Sequence, residues 1–256
     1  MRIAAWQCRP RSLDVAGNLA RLDEACAAAG ARQAEVLVTP EMFTSGYGIT
    51  VSQVAELAED PHGPTEAAVA EIARRHGLAI AYGHPERAAG GRVYNAATLV
   101  GPDGRVRGRH RKVHLYGEMD RALFAPSPEP PTAFDFDGSR VGMLICYDVE
   151  FPEAVRYLAV DGARTVLVPT ANMAGLEAVQ QFVVRSRAYE NGCGLVYANY
   201  CGGDDVFAYG GLSVICGPGG EVLAQATATD EELLVADLVG ESPETFLADR
   251  RADLYG

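Results

Sequence analysis

The stretch Val141-Gly142-Met143-Leu144-Ile145-Cys146-Tyr147-Asp148-Val149-Glu150-Phe151-Pro152-Glu153 decides how the rest of the chain is read. It begins as a short apolar run, the pattern of a buried strand, and turns polar at a cysteine. Pro152 then opens a helical pattern, where a missing backbone N–H does no harm. A thiol at the end of a buried strand, just ahead of a helix start, sits where oriented N–H groups favour a thiolate. Most free cysteines are simply buried small hydrophobes. On position alone Cys146 is therefore a candidate nucleophile and no more.

Working outward, strands and helices alternate. Residues 2–7 read as a strand, and 13–29 carry apolar residues at helical spacing up to Gly30, a C-terminal cap signal. Glu35-Val36-Leu37-Val38-Thr39 reads as a short buried strand closed by Pro40-Glu41, with a loop at 44–48 and a helix at 65–76. Strands follow at 78–83, 92–100 and 105–115. Residues 116–131, rich in proline and acids, read as a loop longer than a connector needs to be. A hairpin of 132–136 and 140–145 around Asp137-Gly138 then delivers Cys146. Beyond it come a helix at 152–160, a strand at 165–168 and the turn Pro169-Thr170-Ala171-Asn172. An amphipathic helix is expected at 176–190, its apolar face made by Leu176, Val179, Phe182, Val183 and Tyr189. Strands at 195–200, 211–216, 221–225 and 233–238 precede a polar tail from 240.

Two echoes suggest an internal repeat. Thr98-Leu99-Val100-Gly101-Pro102-Asp103-Gly104-Arg105-Val106 resembles Val214-Ile215-Cys216-Gly217-Pro218-Gly219-Gly220-Glu221-Val222, and Val36-Leu37-Val38-Thr39-Pro40-Glu41 is echoed by Val166-Leu167-Val168-Pro169-Thr170. Each half then supplies buried strands, helices and a hairpin. Two such halves can pack sheet on sheet with helices outside, an α/β chain in layers.

Composition bounds the function. With 256 residues and 48% hydrophobic content, the chain can bury one large core. We expect a single domain over 1–240, with 241–256 a tail that is loosely ordered or contacts a partner subunit. No apolar run approaches the ~18 residues of a membrane span. The start runs straight into a strand pattern without a signal-peptide core, so a cytoplasmic protein is expected. Six scattered cysteines without a C-x-x-C pair argue against a zinc site or a disulfide framework. A net charge of −12 argues against nucleic acid or an anionic membrane as partner. Of the 22 basic residues all but one are arginine, and the exception is Lys112. A compact ammonium at that position is something arginine's broad planar fork cannot replace.

Three strand ends now carry reactive side chains: Pro40-Glu41, Lys112 and Cys146. A thiol attacking a carbonyl or nitrile carbon needs a proton carrier, and positive charge where the oxyanion develops. A carboxylate whose pKa is raised by burial can take the thiol proton, return it to a leaving amine and then activate water. Glu, Lys and Cys make a complete set for cleaving a C–N bond through a thioester. His62, His76, His84, His110 and His114 are expected to have surface or structural roles, although His114 alternates onto the same strand face as Lys112.

Pro40-Glu41-Met42-Phe43, Arg111-Lys112-Val113-His114-Leu115 and Cys146-Tyr147-Asp148 with Phe151-Pro152-Glu153 together resemble the nitrilase superfamily of carbon–nitrogen hydrolases. The match in order and separation runs over roughly residues 2–240. The resemblance implies Glu41 as general base, Lys112 as oxyanion stabiliser and Cys146 as nucleophile, with the Tyr147 backbone N–H completing the oxyanion hole. It also implies a four-layer αββα sandwich, assembly into dimers or larger homo-oligomers, and no metal or organic cofactor. A second acid after the lysine is usual in the family; Asp120 and Glu118 compete for that place, with spacing favouring Asp120. Tyr147-Asp148 resembles the amidase side of the family rather than the Trp-Glu of true nitrilases.

The expected reaction is hydrolysis of a small carboxamide by water. N-carbamoyl compounds and nitriles are the alternatives on the same site, and a non-catalytic scaffold is the alternative of another class. Tyr47, Tyr116, Asn172 and Met173 are candidates to line the substrate pocket. The acids Glu118, Asp120, Asp148 and Glu150 near the motifs suggest a neutral or cationic amide over an anionic one.

Overall fold

The computed structural model describes residues 1–238 and 247–255. Its first half runs β1 (Arg2–Gln7), α1 (Val15–Ala31), β2 (Val36–Val38), α2 (Val51–Leu57), α3 (Pro64–His76), β3 (Ala79–Arg87), β4 (Val93–Val100), β5 (Val106–Arg111) and α4 (Gly117–Leu123). The second half runs β6 (Phe134–Phe136), β7 (Ser139–Met143), α5 (Pro152–Val160), β8 (Thr165–Pro169), α6 (Val184–Asn191) and β9 (Gly194–Ala198). It continues through β10 (Cys201–Gly203), β11 (Ala208–Gly210), β12 (Val214–Cys216), β13 (Val222–Gln225) and β14 (Glu232–Asp237) to the short α7 (Ala252–Tyr255).

Twelve of the strands form two six-stranded sheets, ordered β14-β1-β2-β3-β4-β5 and β13-β12-β9-β8-β7-β6, and β10 and β11 pair as a separate ribbon. Read from β14 in one and from β6 in the other, the two sheets match strand for strand. In each, an antiparallel edge strand precedes three parallel strands and an antiparallel pair. The two sequence echoes fall on equivalent places, β2 with β8 and β4–β5 with β12–β13. The repeat suggested by sequence is therefore a repeat of topology.

Strand periodicity makes the layers. On β1, Ile3 and Ala5 pack against Met143, Leu167, Val196 and Ile215 of the other sheet. Ala4 points the opposite way, toward Leu22 and Cys26 of α1 and Val69 of α3. On the second sheet, Val166, Val168 and Leu195 meet Val155 and Leu158 of α5 and Val184 and Ala188 of α6. Each Val, Leu, Ile or Met among these contributes roughly 1.5–3 kcal/mol by leaving water. The result is helix, sheet, sheet, helix.

Four local expectations change. The strand expected at 105–115 ends at Arg111, so Lys112 opens the departing segment. The long loop at 116–131 contains α4. The segment after 48 holds α2, whose Thr50 and Gln53 cap each other reciprocally. The helix expected at 176–190 begins as a π-turn over Val179–Val183, which moves its buried face to Val179, Gln180, Val184 and Ala188. Phe182 and Tyr189, expected inside, are exposed. The expected domain end at 240, and residues 241–246 and 256 of the tail, lie outside the described residues.

Candidate active site

Glu41 stands on a loop that crosses directly over β3. A Cβ at Gly83 would lie 2.5 Å from the Met42 nitrogen and 2.8 Å from the Pro40 oxygen, so only glycine allows this approach. The Glu41 N–H donates to the Thr170 carbonyl at 3.2 Å, tying the end of β2 to its repeat partner β8. Lys112 is held at both backbone groups, donating to the Asn95 carbonyl at 2.8 Å and accepting from the Ser127 N–H at 2.9 Å.

These anchors bring three charges together. Lys112 Nζ donates to Glu41 Oε1 at 2.6 Å and to Asp120 Oδ2 at 2.7 Å, and all three side chains are fully buried. Asn95 Nδ2 donates a second bond to Glu41 Oε1 at 2.6 Å, while the buried Oε2 accepts none among the described residues. Asp120 also accepts from the Tyr47 hydroxyl at 2.9 Å and the Tyr116 N–H at 2.9 Å. The Lys112 ammonium sits 5.8 Å from the Tyr47 ring centroid. Burial opposes the lysine's charge, but Glu41, Tyr47 and Asp120 outweigh it and hold Lys112 well above the usual lysine range. Burial raises the Glu41 carboxyl, with Lys112 and Asn95 pulling it back and Asp120 adding to the rise.

Cys146 leaves β7 through a sharp turn. Its φ is +45°, a left-handed conformation that a side chain disfavours by roughly 1–3 kcal/mol. The turn runs over Cys146–Glu150 before α5 starts at Pro152. The thiol is buried at 9% exposure and lies in the field of Glu41, Lys112 and Asp120. Burial pushes the thiol well above its usual range, with Glu41 adding and Lys112 opposing. Burial and the neighbouring Glu41 thus oppose the thiolate that a place ahead of a helix favours.

Asp148 completes the turn. Its buried carboxylate accepts from His110 Nε2 at 2.9 Å, His114 Nδ1 at 2.9 Å, and the N–H groups of Val113, His114 and Ile145 at 3.2, 2.8 and 3.1 Å. Burial would raise it, but these donors hold it well below the usual aspartate range.

The structure sorts the remaining candidates. Asp120 enters the cluster and Glu118 does not: Glu118 is exposed. On α4 the two lie roughly 200° apart, so one helix face cannot present both. Tyr47 is buried and its hydroxyl is used on Asp120, which makes it a support of the charges rather than an open wall. The Asn172 amide donates to the Leu176 carbonyl at 3.2 Å and to Gln180 Oε1 at 3.1 Å, so a buried network occupies it. Met173 is half-buried and bridges Tyr209. Tyr147 meets Tyr116 edge to face at 5.2 Å and Phe151 in a second T-shaped contact at 5.0 Å. Asn95 and the Asp148 cluster escape sequence reasoning; the His110–His114 spacing and the Asp after Cys-Tyr were the available signals. Among the described residues no group of three or more His, Cys, Asp or Glu is placed to hold a metal ion.

Known proteins resemble the chain over nearly its whole length. The carbon–nitrogen hydrolase family model matches residues 2–242. The chain is 45% identical to the "hydrolase in pqqF 5'region" of Pseudomonas protegens, over all of this chain and 90% of that one. It is 36% identical to an (R)-stereoselective amidase of a Pseudomonas species, over all of this chain and 93% of that one. A solved glutamate-to-glutamine variant of the amidase from Nesterenkonia sp. AN1 superposes with a TM-score of 0.88 at 36% identity, covering all of this chain and 98% of that one. That structure shows the result of Michael addition of acrylamide at its active-site cysteine. With its whole length so matched, the chain belongs to the carbon–nitrogen hydrolase family.

Proposed function

We propose that this chain hydrolyses a small carboxamide to a carboxylic acid and ammonia through a thioester on Cys146. The observation that carries the reading is the buried Cys146 turn beside a lysine clasped by Glu41 at 2.6 Å and Asp120 at 2.7 Å. Burial favours the protonated thiol, so proton transfer accompanies attack. Glu41 takes the Sγ proton as Sγ bonds to the amide carbon. Lys112 Nζ and the Tyr147 backbone N–H stabilise the oxyanion as it forms. Glu41 then protonates the departing nitrogen, and ammonia leaves as the C–N bond breaks. A water, deprotonated by Glu41, attacks the thioester; the acid departs and the thiol regains its proton. Asp120 keeps Lys112 charged and aimed, with Tyr47 holding Asp120.

The amidase name of one relative and the acrylamide adduct at the active-site cysteine of another support an amide substrate and a cysteine nucleophile. N-carbamoyl compounds and nitriles are the competing substrates on the same atoms. Of the four acids expected to favour a neutral or cationic amide, Glu118 faces solvent, while Asp120 and Asp148 are occupied by donors. Only the half-buried Glu150 keeps that role; burial raises its carboxyl, opposed by Arg187 and Lys112. Comparable kcat/KM for anionic and cationic amides of equal size would remove it.

The test is ammonia release across a panel of short amides, carbamoyl compounds and nitriles, with Cys146→Ala as control. We expect turnover highest on amides and abolished in the variant. Failure to turn over any member, or full activity in the variant, contradicts the reading. We further read 1–240 as one hydrolase domain, supported by the extent of the family match. Exposed Tyr157, Val160 and Phe182 support assembly into a homo-oligomer. Six free cysteines suit a reducing, cytoplasmic setting, and no described helix is long and apolar enough to cross a membrane.

A further inference from the structure

Lys112 leaves the first sheet and Cys146 leaves the second. Sheets packed face to face share no backbone ladder, so side-chain packing and a few scattered hydrogen bonds, such as Glu41 N–H to the Thr170 carbonyl, set their relative position. A nucleophile and its oxyanion partner drawn from different sheets need something more definite, since a displacement of about 1 Å can cost about 100-fold in rate. The hydrogen bonds of Asp148 supply it. Its Oδ1 accepts from Val113 N–H at 3.2 Å, His114 N–H at 2.8 Å and His114 Nδ1 at 2.9 Å. Its Oδ2 accepts from Ile145 N–H at 3.1 Å and His110 Nε2 at 2.9 Å. Val113 follows Lys112 directly, and Ile145 directly precedes Cys146. One carboxylate therefore grips the residues adjoining both reactive side chains.

Two further contacts fix the grip. The Asp148 N–H donates to the Ile145 carbonyl at 3.0 Å, so the turn that carries the carboxylate also closes on the residue before the cysteine. The His114 ring stacks on Phe151 at 3.7 Å and 10°, which fastens the segment after the lysine to the exit of the same turn. All of the polar capacity at Asp148 is directed at these two segments, and none at a surface or a solvent path. The left-handed φ of +45° at Cys146 also has to be held by its surroundings.

We infer that Asp148, with His110 and His114, is a positioning cluster that sets the Cys146 thiol against the Lys112 ammonium across the two sheets. This rests on the reading of Cys146 as nucleophile. The cluster touches no reacting atom. It acts through the backbone on either side of the two residues that do.

The experiment compares the full-length wild-type chain with Asp148→Asn, whose amide would turn its own hydrogens toward donors. Three quantities are read: melting temperature, kcat and KM on a short amide, and the rate at which iodoacetamide alkylates Cys146, site-resolved by mass spectrometry. Positioning predicts a folded variant with kcat and alkylation each down by about 100-fold and KM within about threefold. A folded variant that alkylates and turns over at wild-type rates, with only its melting temperature lowered, overturns the inference and leaves Asp148 a plain stabiliser. Should Asp148→Asn fail to fold, His110→Phe and His114→Phe, each removing one ring donor while keeping a planar ring, replace it. Slower alkylation at retained folding in either then supports the cluster, and wild-type rates in both overturn it. A wild-type chain that turns over no amide defeats the amidase reading separately, because the alkylation comparison needs no substrate.

Discussion

Glu41 and Asp148 are both fully buried carboxylates flanking the same site, yet their surroundings push them in opposite directions. Burial alone raises each. Asp148 receives five donors spread over both oxygens, enough to reverse the effect. Glu41 receives two, both on Oε1, and shares its lysine with Asp120. On the proposed mechanism, the carboxylate that carries protons is short of donors, and the one that holds geometry is saturated with them. The contrast also separates a reactive cluster from a rigid one within a few residues of sequence.

The comparison breaks most visibly at the lysine. Lys112→Met leaves Glu41 and Asp120 buried together without their cation, a loss of about 3–5 kcal/mol. We expect a melting-temperature fall of about 10 °C or more together with loss of turnover. Lys112→Arg should restore charge without restoring turnover, because the planar fork cannot occupy the same point between two carboxylates. A Lys112→Met chain as stable as wild type would mean that the two acids are not both ionised.

Glu41→Gln tests the under-satisfied member. The amide oxygen can still accept from Lys112 and Asn95, so folding should persist, while kcat falls about 10²–10⁴-fold. Its melting temperature at neutral pH should be unchanged or higher, because a carboxyl raised by burial costs stability once ionised. Steady-state ammonia release and a thermal melt read both effects.

Acid titration sharpens the opposite sign. The folded pKa of Asp148 is depressed below the ordinary 3.8. Its contribution is fully present above that value and is lost as pH falls through it toward the folded one. Melting temperature followed from pH 7 down to about 3 should therefore drop more steeply below about pH 4 in wild type than in Asp148→Asn. Parallel curves would show that Asp148 is not held ionised. The smallest effect belongs to Glu118→Gln, where turnover should be unchanged and stability within about 0.5 kcal/mol.

The parts legible in sequence were those where one physical signal dominates. Apolar runs closed by proline placed β2 and β8, and the G-P-x-G turns placed both hairpins, so the paired sheets followed. Seven-residue helices such as α2 and α4 carry too little periodicity to announce themselves, although the Thr50–Gln53 capping box was a readable start. Missing α4 left Glu118 and Asp120 undecided, since only helical rotation separates them. Asn172 was placed near the site by its strand, but a side chain's hydrogen bonds are long-range facts, and its amide had gone to Gln180. The same limit concealed Asn95 on β4, His110 on β5, and Val113 and His114 just after it, all at least 34 positions from the carboxylates they serve.

The central claim is that Cys146 becomes acylated and that water then releases the acid. The most direct measurement is acid quenching of the wild-type enzyme during steady-state turnover of a short amide, followed by peptide mass spectrometry. The account predicts an acyl mass on the Cys146 peptide, removed by hydroxylamine and absent from Cys146→Ala. Sustained ammonia release with that peptide unmodified, or with the acyl group on another residue, would contradict it.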